Sequence, residues 1–565
     1  MTSFSVLSFS MRSFFQKHHR VLFYSSWIIL GFIQSRLTEL LDDEAYYWVY
    51  SKFLDWGYFD HPPMVALLIK MGYSIFHNEL GVRLFFLLLN VLSLFLMERL
   101  IEKKGSLIFY AIALSLAVLQ LTGFVAVPDT PLIFFTALFF LCYRRFLRQA
   151  SLLNTFLLGV VAAALLYSKY HAVLIVLFVL LSNLKLFRYY QTYLAGLIAL
   201  LFFAPHLLWQ YQHDWISFRY HLFESNVNPY KFSFTLEYLG GQILLAGPLA
   251  GIILLPAAFL YRPKNLFERG LKFTLAGIYL FFLLSSFRGR VEGNWTSPAI
   301  VPLVVLSHHF LTERPVWQKW LLRLLPATMI LVLFARIVMI VDILPVGTIK
   351  QRYHGWKVWP RMMKDKTKGL PIVFENSYQR ASKYWFYTGQ VSYSLNFYRE
   401  RRNNYNFWPI EDSLLGKSVY ILDIHNPDSF ETRIPITLGV LNYKYDPAFA
   451  SFAKVKFIPS EKIIKVKENL PFSMGVHIEL PVKFYDYIIS QPALKIEMVA
   501  GVFDKYGWIE DLPVSNSLYD LVQKPTELHF VPRLPKGNYY LIFSILHVGT
   551  VTATHNSDKI KLVIE

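Results

Sequence analysis

Long apolar runs separated by short polar clusters occupy the first 345 residues of the chain. A helix that crosses a bilayer needs about 20 mostly apolar residues. By that criterion the pattern predicts about eleven spans, several of them short or interrupted. They lie near residues 21–37, 81–97, 105–122, 130–142, 152–166, 172–184, 192–209, 239–260, 271–286, 298–311 and 321–342. We therefore predict a polytopic α-helical membrane protein.

A different pattern begins after about residue 345. Strand, helix, strand and strand are predicted over residues 371–374, 377–387, 391–395 and 418–423. From about residue 451, short alternating runs separated by turn residues are typical of an all-β sandwich. We predict three domains: a transmembrane domain over 1–345, a small α/β domain over 346–450 and a C-terminal β-sandwich over 451–565.

Composition and charge support a membrane location. Only 17% of the residues are charged and 55% are hydrophobic, whereas a soluble domain is about 25% charged. The 56 basic residues exceed the 38 acidic ones and give a net charge of +18. Nucleic-acid binding is one interpretation of such an excess. We disfavour it, because the basic residues lie in short clusters between apolar runs, as they do in multispanning membrane proteins. The lone cysteine, Cys142, permits no internal disulfide.

The basic clusters also predict the orientation. One set of alternate loops holds 18 Lys and Arg residues, and the other set holds 8. Cytoplasmic loops carry the excess of Lys and Arg. The N-terminus is therefore predicted inside, and an odd number of spans places residues 346–565 outside.

The first external loop (residues 39–63) contains a cluster of carboxylates among many aromatic residues. Its acids are Glu39, Asp42, Asp43, Glu44, Asp55 and Asp60. One interpretation is a solvated loop that helps to fix topology. The other, which we favour, is a general base beside a membrane-embedded substrate, because a carboxylate held at an apolar boundary is readily tuned. His61, before two prolines, either donates to a phosphate or caps the turn.

Two further external loops each carry one isolated charged residue. Asp129 in the second loop (127–131) is either a helix N-cap or a catalytic acid. Lys169 in the third loop (168–171), which also holds Tyr170 and His171, either snorkels to the interface or holds an anionic headgroup.

The fifth loop (286–295) suits a phosphate, because arginine forks make bidentate contacts and glycines allow close backbone approach. Its polar candidates are Arg288, Arg290 and Asn294. The alternative is a flexible loop in which both arginines pair with Glu292.

Several common chemistries lack a signature in this sequence. No set of His and Cys residues has the spacing of metal ligands. A P-loop, a GxGxxG after a strand and a GxSxG elbow are also missing, which disfavours nucleotide-driven transport and serine hydrolysis. A carboxylate base with cationic phosphate ligands suits transfer from a lipid phosphate.

The run DDEAYYWVYSKFLDWGYFDHPPMVALLI resembles the first external loop of bacterial GT-C membrane glycosyltransferases. The glycosyltransferases that it resembles are those of the protein-mannosyltransferase (family 39) and aminoarabinose-transferase type. VPDTPLIFFTALFF, SKYHAVL and GNWTSPAIVPL resemble later blocks of this group, and YQRASKYWFYTG with RRNNYNFWP resembles the external segment of one bacterial branch. The likeness spans about residues 20–425.

The resemblance implies a catalytic transmembrane domain that transfers a sugar, with inversion, from a polyprenyl phosphate (undecaprenyl in bacteria). The acceptor would be a hydroxyl on the periplasmic side of the inner membrane, and no metal or other cofactor is implied. Asp43 maps to the family's base, with Glu44 beside it, and Asp42 competes for the role. Aminoarabinose transferases carry a Lys where this chain has His61, so Lys169 and Arg288 are alternative phosphate contacts.

The predicted site has two groups of residues. The catalytic candidates are Asp43, Glu44 and Asp129. The substrate-binding candidates are His61, Lys169, Tyr170, His171, Arg288, Arg290 and Asn294. The acceptor is left open between a lipid A glycan, a protein hydroxyl and an envelope polysaccharide. A flippase for a lipid-linked sugar and a non-catalytic envelope scaffold are the rival functions.

Overall fold

The structure, a computed structural model, describes residues 2–565 except 103, 226–227, 424–431, 437–438, 469, 492–495, 515–516, 524–525, 532 and 548–552. The chain divides into two compact units, Met1–Pro345 and Val346–Glu565.

The described part of the first unit is helical. Its α-helices are α1 (Thr2–Leu37), α2 (Asp42–Tyr50), α3 (Met64–Tyr73), α4 (Glu79–Leu100), α5 (Ser106–Ser115), α6 (Asp129–Arg148), α7 (Leu152–Ser168), α8 (Ala172–Ser182), α9 (Tyr190–Gln212), α10 (Ile216–Arg219), α11 (Phe232–Ala246), α12 (Gly251–Leu260), α13 (Leu266–Ser285), α14 (Ile300–Thr312) and α15 (Pro315–Ile340). Shorter helical turns are the π-helical Val118–Thr122 and Tyr220–Glu224 and the 3₁₀-helical Leu184–Arg188 and Gly293–Ala299.

Helices overlap every apolar segment that the sequence predicted, but the number of spans is not confirmed. Within the described residues, four helices are long and apolar enough to cross a membrane, namely α4, α6, α9 and α15. A fifth span results if α11 and α12 count as one. In α4 and α6, 61% of the most apolar window is buried, against 22% in α9 and α15. The first two helices therefore lie inside the bundle, and the other two at its surface.

The predicted segment 239–260 is not one continuous helix. The axes of α11 and α12 differ by 96°. Gly247, between them, has a φ of +135°, and a Cβ there would lie 2.5 Å from the carbonyl oxygen of Ser115. Glycine adopts such a conformation without the strain that a Cβ would cause. Pro248, which follows it, lacks the N–H that a continuous helix would use, so these two residues account for the bend.

The described part of the second unit contains helices and three sheets. The helices are α16 (Gly347–Tyr353), α17 (Trp359–Lys366), α18 (Tyr378–Thr388), α19 (Ile410–Leu414), α20 (Val482–Ser490) and α21 (Leu518–Gln523). The strands are β1 (Ile372–Glu375), β2 (Ser392–Leu395), β3 (Val419–Asp423), β4 (Thr432–Ile436), β5 (Gly439–Asp446), β6 (Lys456–Pro459), β7 (Ile463–Val466), β8 (Phe472–Glu479), β9 (Ile496–Phe503), β10 (Trp508–Val514), β11 (Thr526–Phe530), β12 (Gly537–His547) and β13 (Ile560–Ile564).

The first sheet has the order β2-β1-β3-β5-β4. Strand β1 pairs in parallel with β2 and β3, and α18 connects β1 to β2. The strand, helix, strand and strand predicted over 371–423 are therefore present. Strands β4 and β5 extend the sheet in antiparallel pairing.

Two further sheets have the orders β10-β9-β12-β13-β7 and β11-β8-β6. Leu528 and Phe530 of β11 belong to the same buried apolar cluster as Phe543 of β12 and Leu562 of β13. The two sheets therefore share one core. The description of this region as a sandwich, and the predicted boundary at residue 450, stay predictions.

Candidate active site

Asp129 joins three of the predicted external loops. It is the first residue of α6 and is 5% exposed. Its Oδ1 accepts hydrogen bonds from Lys169 Nζ at 2.7 Å and from Ser297 Oγ at 2.6 Å, and its Oδ2 accepts one from Asn294 Nδ2 at 2.8 Å. Pro128 occupies the cap position of α6 without a side-chain cap. The N-cap interpretation of Asp129 is therefore wrong, because its carboxylate is turned toward Lys169.

Lys169 is buried beside this carboxylate. Its side chain does not extend to a surface, since the residue is 5% exposed. The snorkelling interpretation is therefore wrong as well. Asp129 supplies the opposite charge within hydrogen-bond distance of the Lys169 ammonium group.

Each carboxylate oxygen of Glu44 accepts two hydrogen bonds. Oε1 accepts from Arg83 Nε at 2.7 Å and from the Ala126 amide at 2.8 Å. Oε2 accepts from Arg83 Nη2 at 2.5 Å and from the Leu41 amide at 2.9 Å. Both charged side chains are fully buried. Glu44 therefore ties the start of α2 to α4 and to the segment before the second loop, which is the geometry of a positioning group.

Asp42 and Asp43 lie in the first turn of α2, next to this anchor. Leu41 takes the extended cap conformation before them. Asp43 is exposed, whereas Asp42 is partly buried. Acidic side chains are favourable in the first turn of a helix, where the main-chain amides create a positive potential. Both residues fit the role of a base, and Asp43 offers the more accessible side chain.

The end of the first loop is held by tyrosines. Oδ2 of Asp60, a buried residue, accepts hydrogen bonds from Tyr46 Oη and Tyr50 Oη, each at 3.1 Å. The Asp60 carbonyl oxygen accepts from His221 Nε2 at 2.8 Å. The acid that precedes the double proline is therefore occupied, and it fixes the backbone that carries His61.

His61 lies in this aromatic surrounding as a neutral imidazole. Its ring centroid is 5.4 Å from that of Tyr47 and 6.4 Å from that of His221. Burial lowers the pKa of His61 to about 3, although the charge of Asp60 raises it. At neutral pH, His61 can therefore donate a hydrogen bond to a phosphate but brings no positive charge.

Side chains of helix α9 form hydrogen bonds with both the first and the third loop. Gln210 Nε2 donates to Tyr170 Oη at 3.0 Å, and His206 Nε2 lies 3.1 Å from the same oxygen. His206 Nδ1 donates to the Trp56 carbonyl oxygen at 2.7 Å. The sequence reasoning missed His206 and Gln210 because they lie at the end of an apolar span. Their signal was two polar residues four positions apart, which share one face of a helix.

His171 packs among aromatic residues beside the fifth loop. Its ring centroid is 5.1 Å from that of Phe282 and 5.6 Å from that of Trp295. Burial lowers the pKa of His171. In the part of the chain that the structure describes, its buried Nδ1 has no hydrogen-bond partner.

The two arginines of the fifth loop are on the surface. Arg290, whose side chain is 63% exposed, lies 3.2 Å from Glu237 and 4.0 Å from Glu292. Of the alternative in which both arginines pair with Glu292, the described contacts contain only the Arg290 pair. Glu237 is a partner that the sequence did not reveal. Arg288 is exposed, and its carbonyl oxygen accepts from the Asn228 amide at 3.3 Å. Among the described contacts, only Asn294 of the three predicted fifth-loop residues reaches Asp129.

Known proteins share both sequence and fold with this chain. The sequence family described as dolichyl-phosphate-mannose-protein mannosyltransferase matches residues 60–209. Lipid A galacturonosyltransferase RgtD of Rhizobium johnstonii is 25% identical over 318 residues. The predicted resemblance is confirmed. The family match includes His61, Asp129 and Lys169 but begins after Asp43, and the alignment with RgtD covers 52% of this chain and 66% of RgtD, just under two thirds of its length.

Two crystal structures of ArnT from Cupriavidus metallidurans show the same fold at 13% identity. The apo structure has a TM-score of 0.57 and covers 76% of this chain and 98% of ArnT. The structure bound to undecaprenyl phosphate has a TM-score of 0.55 and covers 75% of this chain and 97% of ArnT. The GT-C fold that the sequence predicted is therefore present. RgtD is a glycosyltransferase by name, in agreement with the predicted enzyme class.

Proposed function

We propose that this chain transfers a sugar from a polyprenyl phosphate to an acceptor hydroxyl on the periplasmic side of a bacterial inner membrane, with inversion at the anomeric carbon. One observation carries the proposal. Glu44, saturated by four donors, fixes the first turn of α2, so that the adjacent Asp43 presents an exposed carboxylate. RgtD is named for lipid A, and ArnT has been crystallised with undecaprenyl phosphate.

Asp43 is the general base in this proposal. It takes the proton of the acceptor hydroxyl as the acceptor oxygen attacks the anomeric carbon. The bond between that carbon and the phosphate oxygen breaks, and its electron pair leaves with the polyprenyl phosphate. Asp42 stays the alternative base. Glu44, whose oxygens are occupied, positions the turn and does not touch the substrate.

The donor phosphate is proposed to lie among His61, Lys169 and Arg288. His61 contributes a neutral hydrogen bond and Lys169 a point charge that Asp129 shares. Arg288 is the exposed arginine of the fifth loop for which no ion pair is described, whereas Arg290 is already paired. Cations at a leaving phosphate stabilise the charge that develops in the transition state.

Tyr170, His171 and Asn294 complete the proposed site as positioning residues. Tyr170 and Asn294 are held by Gln210 and Asp129 respectively. The acceptor that we propose is a hydroxyl of a lipid-anchored glycan such as lipid A, with protein and polysaccharide hydroxyls as alternatives.

A transfer assay in liposomes tests the function. Purified wild type, Asp43→Asn and Asp42→Asn receive a panel of polyprenyl phosphate sugars, and the release of free polyprenyl phosphate is measured. We expect release by wild type and Asp42→Asn and none by Asp43→Asn, with all three proteins folded. Loss in Asp42→Asn alone would move the base by one residue. Movement of a labelled lipid-linked sugar across the bilayer without release would establish the flippase instead.

A further inference from the structure

Arg336 is a cation within a membrane helix. It lies in the penultimate turn of α15, whose length and composition suffice to cross a bilayer. Its backbone is fixed to the N-terminal helix, because Gln34 Nε2 donates to the Arg336 carbonyl oxygen at 3.2 Å. Ionisable side chains in such segments are costly and usually serve a function.

The described partners of this guanidinium are neutral. Nη1 donates to Gln120 Oε1 at 3.4 Å, which is a long hydrogen bond. The guanidinium carbon lies 5.9 Å from the ring centroid of Phe124. Nε is buried and has no hydrogen-bond partner in the described part of the chain. A guanidinium has five N–H donors, so most of its capacity is not used by the described residues.

Arg83 provides an internal comparison. Its guanidinium carbon lies 5.6 Å from the same Phe124 ring, but Glu44 neutralises it. For Arg336, the described residues supply a ring and an amide and no carboxylate. The region around Phe124 therefore carries one uncompensated positive charge, and an anion would balance it.

The surface next to Arg336 indicates how that anion arrives. Leu333, Phe334 and Ile337 are 57%, 48% and 42% exposed. Large apolar side chains exposed on a membrane helix face lipid tails. An anion reaching Arg336 from this side has an apolar chain attached to it.

We propose that Arg336 and Gln120 bind the phosphate group of a membrane lipid. The guanidinium supplies charge-assisted hydrogen bonds to phosphate oxygens, and the Gln120 side-chain amide supplies a further donor. The lipid chains lie along Leu333 and Ile337. This contact uses neither Asp43 nor the residues that we propose for the donor phosphate, His61, Lys169 and Arg288.

Thermal unfolding of the full chain in a neutral detergent tests this site. The probes are dioleoyl phosphatidic acid, diacylglycerol with the same chains, and inorganic phosphate. We expect phosphatidic acid to raise the unfolding temperature of wild type by several degrees, because a ligand that binds only the folded state stabilises it. Diacylglycerol and inorganic phosphate should have little effect. Arg336→Gln should lose the shift.

Arg323→Gln is the matched control, since it removes the same charge from an exposed position of the same helix. It should keep the full shift, and so should Asp43→Asn, whether or not it transfers sugar. An equal shift in Arg336→Gln, or no shift in wild type, overturns the proposal. A shift of the same size with inorganic phosphate overturns the lipid source. If Arg336→Gln fails to fold, the amount of phosphatidic acid retained by Arg336→Lys is measured by native mass spectrometry and compared with that of wild type. Undiminished retention overturns the proposal.

Discussion

Arg83 holds Glu44 through two parallel hydrogen bonds, Nε to Oε1 at 2.7 Å and Nη2 to Oε2 at 2.5 Å, with neither side chain exposed. Removing one partner of a buried pair leaves the other charge uncompensated. We expect Glu44→Gln to lower the free energy of unfolding by about 3–5 kcal/mol. Denaturant unfolding in detergent measures it.

The control for this pair is an exposed one. Lys264 and Glu313 form an ion pair in which both side chains are more than half exposed. Glu313→Gln should change stability far less than Glu44→Gln, because solvent screens an exposed pair. Similar losses in the two variants would contradict the role of Glu44 as an anchor.

Asp129→Asn should distinguish a positioning carboxylate from a catalytic one. The substitution removes the charge that faces Lys169 while leaving a side chain of the same shape. We expect the KM for the donor to rise more than tenfold and kcat to fall less, because Lys169 loses its fixed position. Steady-state kinetics over a range of donor concentrations measures both.

Ser297→Ala is the matched variant, since it removes one neutral donor to the same carboxylate. Its effect should be near 1 kcal/mol, the usual contribution of one hydrogen bond. A lost kcat with an unchanged KM in Asp129→Asn would make Asp129 the base.

Arg288 and Arg290 should behave differently although they are two residues apart. Arg288→Ala should weaken donor binding about tenfold, which corresponds to about 1.4 kcal/mol. Arg290→Ala should have a smaller effect, because its partner Glu237 already occupies the guanidinium. Binding of a fluorescent polyprenyl phosphate measures both, with unfolding temperature as the folding control. Unchanged binding in Arg288→Ala removes it from the site.

We expect the stability of the second unit to depend on pH because of the buried residue Glu411. Burial raises its pKa to about 7, although Ser451 Oγ and the Ala453 amide donate to it. The pKa of an unfolded glutamate is about 4.3, so between that pH and pH 7 the folded state holds a proton that the unfolded state has lost. The stabilisation is complete below that range and is lost as pH rises to 7, with a total of about 3–4 kcal/mol.

Glu411→Gln should flatten this dependence, because a neutral amide accepts the same hydrogen bonds at every pH. Amide hydrogen exchange at Ala453, followed from pH 5 to pH 8 and corrected for intrinsic rates, measures the local effect. Glu461→Gln, at an exposed position of the same unit, should leave the slope as in wild type. A slope that persists in Glu411→Gln would assign the titration to another group.

The sequence predicted the helices well because a long apolar run decides between helix and loop without knowledge of neighbours. It placed Asp129 and Lys169 among the candidates because an isolated charged residue between apolar spans is conspicuous, and Asn294 because its loop also holds two arginines and two glycines. It did not predict that the three meet, since residues 40 and 165 positions apart come together only through packing.

Arg83 was missed for the opposite reason. It lies inside the predicted span 81–97, where one basic residue does not change the apolar average. Its partner Glu44 is 39 residues away, and no local pattern links them. The bend at Gly247 was not predicted, because the hydropathy of 239–260 is continuous across it, although a Gly-Pro pair such as Gly247-Pro248 is typical of a turn.

Two of the four hydrogen bonds to Glu44 come from main-chain amides, at Leu41 and Ala126. A peptide N–H is supplied by every residue except proline. Natural or engineered variation at these two positions can therefore change the side chains there while the first turn of α2 keeps its anchor, provided that the backbone path is retained. An alignment of distant relatives could show Glu44 and Arg83 as a matching pair. It could not show the two main-chain hydrogen bonds, because these do not depend on residue type.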